Sequence, residues 1–232
     1  LMNGDVIHTG GRVVKNVVGY DLTQLLVGSE GTLAIITRII LRLIPLPPAT
    51  ATLRATFTSI RDAVGAVGGL VRARVVPATM EIIDRATLEA VAASIGERAL
   101  APEGTGAVLI LEVDGLPEQV EAEAQRVEAA CRESGATEVL RAESVEAREA
   151  LWRVRRGISH ALMVVATLKI NNDIVVPKGR VPELFDLVEA LKAKYRLPIP
   201  SFGHVGDGNI HVNIMVPTMD DPAIRERAEA AL

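Results

Sequence analysis

Apolar residues two apart predict a strand with one buried face, and apolar residues three and four apart predict a helix. In the first part of the chain, Leu22, Leu25 and Leu26 have helical spacing and predict a brief helix closed by Gly28. From Leu33 to Leu43 the run LAIITRIILRL sets Ile35, Thr37, Ile39 and Leu41 on one face and Arg38 and Arg42 on the other, which predicts a strand. The segment Pro45-Leu46-Pro47-Pro48 stops that run and marks a domain boundary, dividing residues 1–47 from residues 48–232. Beyond it, strands are expected at Thr52–Phe57, Thr79–Asp84, Ala107–Val113, Val139–Ala142, Ile174–Val176 and His211–Val216. Helices are expected at Ile60–Ala73, from Asp84 to about Ser94, from Pro117 to Ser134-Gly135, at Val145–Val165 and from Pro182 onward. Pro117 and Pro182 suit a first helical turn, and Leu184, Leu187, Val188 and Leu191 form one apolar face after the second. Helices between strands fit a parallel sheet, and they fit helices laid on one face of an antiparallel sheet as well.

Composition narrows the function classes. Apolar residues make 49% of the chain and charged residues 23%, an ordinary globular balance. Aromatic residues are only 3%, so the core rests on Val, Leu, Ile and Ala, and base-stacking platforms are not expected. A net charge of −4 also argues against a nucleic-acid partner, although a local arginine cluster can still hold a small anion. The single cysteine, Cys131, cannot form an internal disulfide and falls in helical register with Val120, Ala124 and Val127. It is read as a packed apolar side chain in a reducing, cytoplasmic setting. No apolar run reaches the roughly 18 residues of a membrane span. The chain begins at Leu1 inside what reads as a strand and turn, and stops at Leu232 in a helical pattern, so targeting segments are expected outside it.

Four stretches carry candidate chemistry. The turn Gly28-Ser29-Glu30-Gly31-Thr32 spaces two glycines so that backbone amides can approach an anion, and it equally fits a helix cap followed by a tight turn. The loop Ser201–Asn213 holds His204 and His211, seven residues apart. On one extended strand they would lie roughly 23 Å apart and face opposite ways. Gly206-Asp207-Gly208-Asn209 is turn chemistry that reverses the chain between them and sets His211 and Asn213 on one face, with Val212 and Ile214 toward the core. The pair then reads either as two imidazole ligands for zinc or a related metal, needing a third ligand and leaving an open position, or as a polar turn on a half-exposed strand.

The third stretch is Trp152-Arg153-Val154-Arg155-Arg156. From composition it reads as a solvated helix face, with Ser159 one turn beyond Arg155 on the same side. In the fourth, Lys169-Ile170-Asn171-Asn172-Asp173, alternation puts Lys169, Asn171 and Asp173 on one face, with Lys169 and Asn171 either as ligand contacts or as ordinary surface.

Together these motifs resemble flavoproteins of the vanillyl-alcohol-oxidase type. The match is densest with the branch of D-lactate dehydrogenases, glycolate oxidase flavin subunits and D-2-hydroxyglutarate dehydrogenases. GGRVVKNVVGYDLTQLLVGSEGTLAIIT (residues 10–37) is similar to the last segment of their FAD-binding domain, and the His-x-Gly-Asp-Gly-Asn-x-His-x-Asn run is similar to their substrate-domain signature.

The resemblance implies an α+β fold: the end of an FAD-binding domain, then a substrate or cap domain with a largely antiparallel sheet covered by helices, truncated at its C-terminus. It implies FAD contacts at Lys15, Asn16, Gly19, Tyr20, Gly28, Ser29, Glu30, Gly31 and Thr32, with the family's main pyrophosphate loop lying upstream. It implies a divalent metal, zinc foremost, on His204 and His211, whose third ligand belongs to a Glu-His-Gly motif further along. Arg155 would anchor the substrate carboxylate, Asn213 would contact substrate, and Ser159, Lys169 and Asn171 would line the site. Arg155, His211 and Asn213 are thus the catalytic candidates.

The implied reaction is oxidation of a small 2-hydroxy acid, of the D-lactate or glycolate class, by hydride transfer to flavin. Electrons would pass on to a quinone, a cytochrome or an electron-transfer flavoprotein, with an Fe–S partner subunit as an option and a peripheral place at the inner membrane face as another. An ether-lipid-type transferase and a non-catalytic partner subunit are the rivals on the same fold. Two positions depart from the family pattern: Ala34 stands where glycine is usual, and Arg156 follows the anchor arginine where many relatives have glutamate.

Overall fold

The structure is a computed structural model that describes residues 1–95, 100–164, 166 and 168–231. The chain divides into two compact units, Leu1–Leu46 and Pro47–Leu232. In the first, helix α1 (Leu22–Leu26) forms where Asp21 accepts the Gln24 amide at its N-terminus, and Gly28 follows it with φ +84°. The strand expected at residues 33–43 is absent. Ladder hydrogen bonds need a neighbouring strand, and none of the described residues supplies one, so alternation alone does not make a strand here. Ile35, Ile36, Ile39, Ile40 and Leu41 are all exposed.

The second unit is built on one seven-stranded sheet. In chain order its elements are β1 (Ala49–Phe57), α2 (Ile60–Arg72), β2 (Thr79–Asp84), α3 (Arg85–Ile95), β3 (Ala107–Gly115), α4 (Pro117–Glu133) and β4 (Glu138–Arg141). They continue as α5 (Val145–Val164), β5 (Leu168–Val175), α6 (Val181–Tyr195), β6 (Ser201–His204), β7 (Asn209–Val216) and α7 (Pro222–Ala230). The strand order is β4-β1-β3-β2-β6-β7-β5, and every pairing is antiparallel. The first four strands and their helices make a split β-α-β arrangement, which the β6–β7 hairpin and β5 extend at one edge. Of the two arrangements open from the pattern, the antiparallel one holds, with helices on both faces.

The alternation of each strand sorts its side chains between two cores. Leu53, Phe57, Ile82, Leu109, Leu111, Ile210, Val212 and Ile214 meet α2, α4 and α6 on one face, together with Cys131. Burial pushes the Cys131 thiol up to about 12, which fits packing rather than reactivity. On the other face Ile83, Val108, Ile110, Phe202 and Met215 meet Ile158, Ala161 and Leu162 of α5 and Val91 of α3. Proline stands in the first turn of both α4 and α6.

Three local expectations shift. Strand β5 starts six residues earlier than Ile174, because the polar run from Lys169 pairs with β7 along its length. Strand β6, only four residues long, lacked a readable alternation. Leu187 is 54% exposed, because α6 buries Leu184, Phe185 and Val188 and turns Leu187 off that stripe. Val165 and Leu232 lie outside the described residues. Among the described residues no helix is long and apolar enough to cross a membrane.

The β6–β7 turn depends on Gly208. Its φ is +76°, and a Cβ there would sit 2.1 Å from the Val176 carbonyl oxygen. The Val176 amide donates to the Gly208 carbonyl at 3.0 Å, tying the turn to the end of β5. Gly208→Ala is therefore expected to destabilise the unit by about 2 kcal/mol or more in urea unfolding. A change under about 0.5 kcal/mol, the scale of an ordinary surface substitution, would contradict this account of the turn.

Candidate active site

The sheet order creates the site. Because β6 lies between β2 and β7, Glu81 of β2 faces His204, and Phe202 faces His211. Because β5 borders β7, Asp173 faces His211 and Asn171 faces Asn213. These side chains come from four strands and share the face covered by α5.

Glu81 is the central group, with its side chain only 3% exposed. Its Oε2 accepts Nε and Nη2 of Arg155 at 2.9 and 2.8 Å. Its Oε1 lies 2.6 Å from His204 Nδ1. The Arg155 guanidinium also stands over the Phe202 ring, 4.9 Å from its centroid, and that ring lies 5.1 Å from the His211 ring. The two imidazole centroids are 6.4 Å apart. The chain reversal through Gly206 and Gly208 has thus brought His204 and His211 onto one face.

His211 Nδ1 and Asp173 Oδ1 form a tight hydrogen bond. That bond, helped by the Asn171 amide at 3.1 Å, holds the Asp173 carboxyl below its usual range. An ionised carboxylate only accepts, so the His211 ring proton sits on Nδ1 and Nε2 faces away. Both imidazoles therefore have Nδ1 against a carboxylate and Nε2 free of it, as in metal-bound histidines oriented by carboxylates. The pair fits a metal in this respect. Among the described residues, however, no group of three or more His, Cys, Asp or Glu side chains could hold an ion.

The remaining candidates fall as follows. Lys169 Nζ donates to Ser159 Oγ at 2.6 Å, joining β5 to α5. Asn213 is fully buried; its amide nitrogen donates to the carbonyls of Pro200 and His211, and its Oδ1 has no partner among the described residues. Arg156 pairs with Glu149 at the surface. Trp152 and Arg148 serve a partly buried acid: Glu112 accepts Arg148 at 2.9 Å through both oxygens, the Trp152 indole N–H at 3.0 Å, and Thr52 at 2.6 Å. One helical stripe, Arg148, Trp152 and Arg155, thus pins α5 to β3 and β2.

Glu81, Glu112 and Phe202 were missed from sequence. The available signal was a carboxylate set inside an apolar strand, TMEIID for Glu81 and AVLILEVDG for Glu112. Such a residue has to find a cation.

The expected cofactor residues all lie in the N-terminal unit. Gly28, Glu30 and Gly31 have φ of +84°, +50° and +80°. The Ser29 and Thr32 amides are spent inside the turn, on the Leu26 and Ser29 carbonyls. A Cβ at Gly19, Gly28 or Gly31 would meet nothing within 4 Å, so the approach is open. Asn16 accepts the Val18 amide, and Lys15 and Tyr20 are exposed.

Comparison with known proteins supplies the family. Residues 46–232 match the family described as FAD linked oxidases, C-terminal domain. The chain is 40% identical over 213 residues to glycolate oxidase subunit GlcD of Bacillus subtilis (strain 168), covering 91% of this chain and 44% of that protein. It is 29% identical over 232 residues to a D-lactate dehydrogenase of Anaerostipes hadrus, covering 98% of this chain and 49% of that one. The chain thus spans about half the length of these relatives. Among solved structures, an alkyldihydroxyacetonephosphate synthase matches with a TM-score of 0.64 over 94% of this chain and 47% of its own, at 15% identity, which shows a shared fold.

The Glu112 cluster gives a pH prediction. Burial works to raise its carboxyl, but hydrogen bonds from Arg148, Thr52 and Trp152 outweigh it and hold the group below its ordinary value. The folded value lies under the unfolded one, so this contribution is present above roughly pH 4.3 and is lost as pH falls through the lowered value. Unfolding free energy measured across that acid range is expected to fall more steeply in the wild type than in Glu112→Gln. Equal slopes would contradict it.

Proposed function

Since the chain belongs to the FAD-linked oxidases and carries their C-terminal domain, we propose that it serves the oxidation of a small 2-hydroxy acid, of the glycolate or D-lactate class, to the 2-oxo acid. The observation that carries this reading is the convergence of Arg155, His204 and His211 on one sheet face around Glu81 and Phe202. A guanidinium beside two outward-facing imidazole nitrogens suits a ligand with a carboxylate next to a hydroxyl. The names of the relatives, a glycolate oxidase subunit and a D-lactate dehydrogenase, point to the same substrate class.

In this reading Arg155 orients the substrate carboxylate by its outer edge, because Glu81 occupies the Nε side. Lys169, Ser159 and Asn171 add polar contacts along α5 and β5, and the unpartnered Oδ1 of Asn213 supports a polar role beside His211. His204 and His211 would hold a divalent ion such as zinc through Nε2, and such an ion would supply Lewis acidity toward the substrate hydroxyl. FAD, contacted in part by Lys15, Asn16, Gly19, Tyr20 and the Gly28–Thr32 turn, supplies the hydride acceptor. A quinone, a cytochrome or an electron-transfer flavoprotein would serve as electron acceptor, with an Fe–S partner subunit as an option. The setting is cytoplasmic, including the inner membrane face. The ether-lipid-type transferase reading has only a shared fold behind it and is not adopted.

The test is dye reduction by glycolate and D-lactate in the flavin-loaded protein. His211→Ala is expected to lower kcat/KM by roughly 100-fold or more, the scale of a lost charge-stabilising contact. Arg155→Lys is expected to raise KM about tenfold or more, because a point charge replaces a bidentate fork. A yellow protein inert toward every 2-hydroxy acid, or a fully active His211→Ala, would defeat the reading.

A further inference from the structure

Glu81 touches groups from two different elements that the sequence does not connect. Its Oε2 takes the Nε and Nη2 of Arg155 from α5, and its Oε1 lies 2.6 Å from Nδ1 of His204 on β6. We propose that Glu81 is the positioning residue of the site: a single buried carboxylate that sets both the tautomer of His204 and the orientation of Arg155. This inference rests on the reading of His204 as an ion ligand and Arg155 as a carboxylate anchor.

For Arg155, the carboxylate occupies the Nε edge of a planar fork, which leaves the outer edge made by Nη1 and the second Nη2 hydrogen clear of Glu81. The Phe202 ring beneath the guanidinium, at 4.9 Å, limits its tilt. For His204, two facing lone pairs at 2.6 Å would repel, so the ring proton lies on Nδ1 and Nε2 keeps its lone pair. Nε2 is then the ligating nitrogen, on a side chain that is half-exposed. The same oxygen pair therefore prepares the cation-binding and anion-binding groups together.

Glutamine at position 81 separates this role from simple packing. It keeps the shape but exchanges one oxygen for an NH2. Arg155 has donors only, so the amide oxygen must turn to it and the NH2 must face His204 Nδ1. Nδ1 then has to accept, the proton moves to Nε2, and the ring loses its outward lone pair. His211 depends on Asp173 rather than Glu81, so it is an internal control.

The experiment is long-range 1H–15N NMR of the histidine-labelled chain at about pH 8, where unperturbed imidazoles are neutral. In the wild type His204 is expected to carry its proton on Nδ1. In Glu81→Gln it is expected on Nε2, with the His211 signals unchanged, and Co2+ affinity read from the visible absorption is expected to fall about tenfold to 100-fold. A wild-type His204 protonated on Nε2 overturns the proposal even if the variant fails to fold. So does a folded Glu81→Gln, native at His211, whose tautomer and cobalt affinity match the wild type. A tautomer switch in a chain whose wild type binds no cobalt supports the role of Glu81 and overturns the metal reading alone.

Discussion

The tight reversal between β6 and β7 is the constraint on which the site depends. Gly208 adopts a left-handed conformation where a Cβ would strike the Val176 carbonyl, and the four residues it closes convert a sequence separation into a shared face. The consequence is geometric. Phe202 lies opposite His211, and His204 lies opposite Asn209, so both imidazoles project toward the side of the sheet that α5 covers. The ordering β2-β6-β7-β5 then supplies Glu81 on one side of the histidines and Asp173 on the other.

The two faces of the sheet have different tasks. The face against α2, α4 and α6 is mainly apolar, with one buried carboxylate, Asp84, paired to Lys192 of α6, and its packing supplies the hydrophobic driving force of the fold. The face against α5 holds the buried Glu81 and the partly buried Glu112, each met by an arginine of that helix. Buried ion pairs are weak sources of net stability, because desolvation offsets much of their attraction. Their effect here is registry: they fix which turn of α5 lies over which strand. That places Arg155 over the histidine hairpin.

Local pattern was enough for much of this. Thr79–Asp84 is bounded as its alternation indicates, and Pro117 and Pro182 stand in the first turns of α4 and α6. The glycines between His204 and His211 announced the reversal. What local pattern could not supply is partnership. The apolar run at residues 33–43 alternates like a strand yet finds no neighbour among the described residues, and β6 is too short to show a period. The role of Glu81 was hidden for the same reason. Its partners lie 74 and 123 positions away along the chain, on a helix and a strand that only the sheet order brings to it. A carboxylate among apolar neighbours reveals the need for a cation without saying which one.

In the proposed reading, His204 and His211 present their outer nitrogens to a common ion. Zinc K-edge absorption on the chain loaded with one equivalent of the metal tests this directly. The account predicts two imidazole nitrogens at about 2.0–2.1 Å, falling to one in His204→Ala. A zinc environment with fewer than two imidazoles, or one indifferent to that substitution, would contradict it.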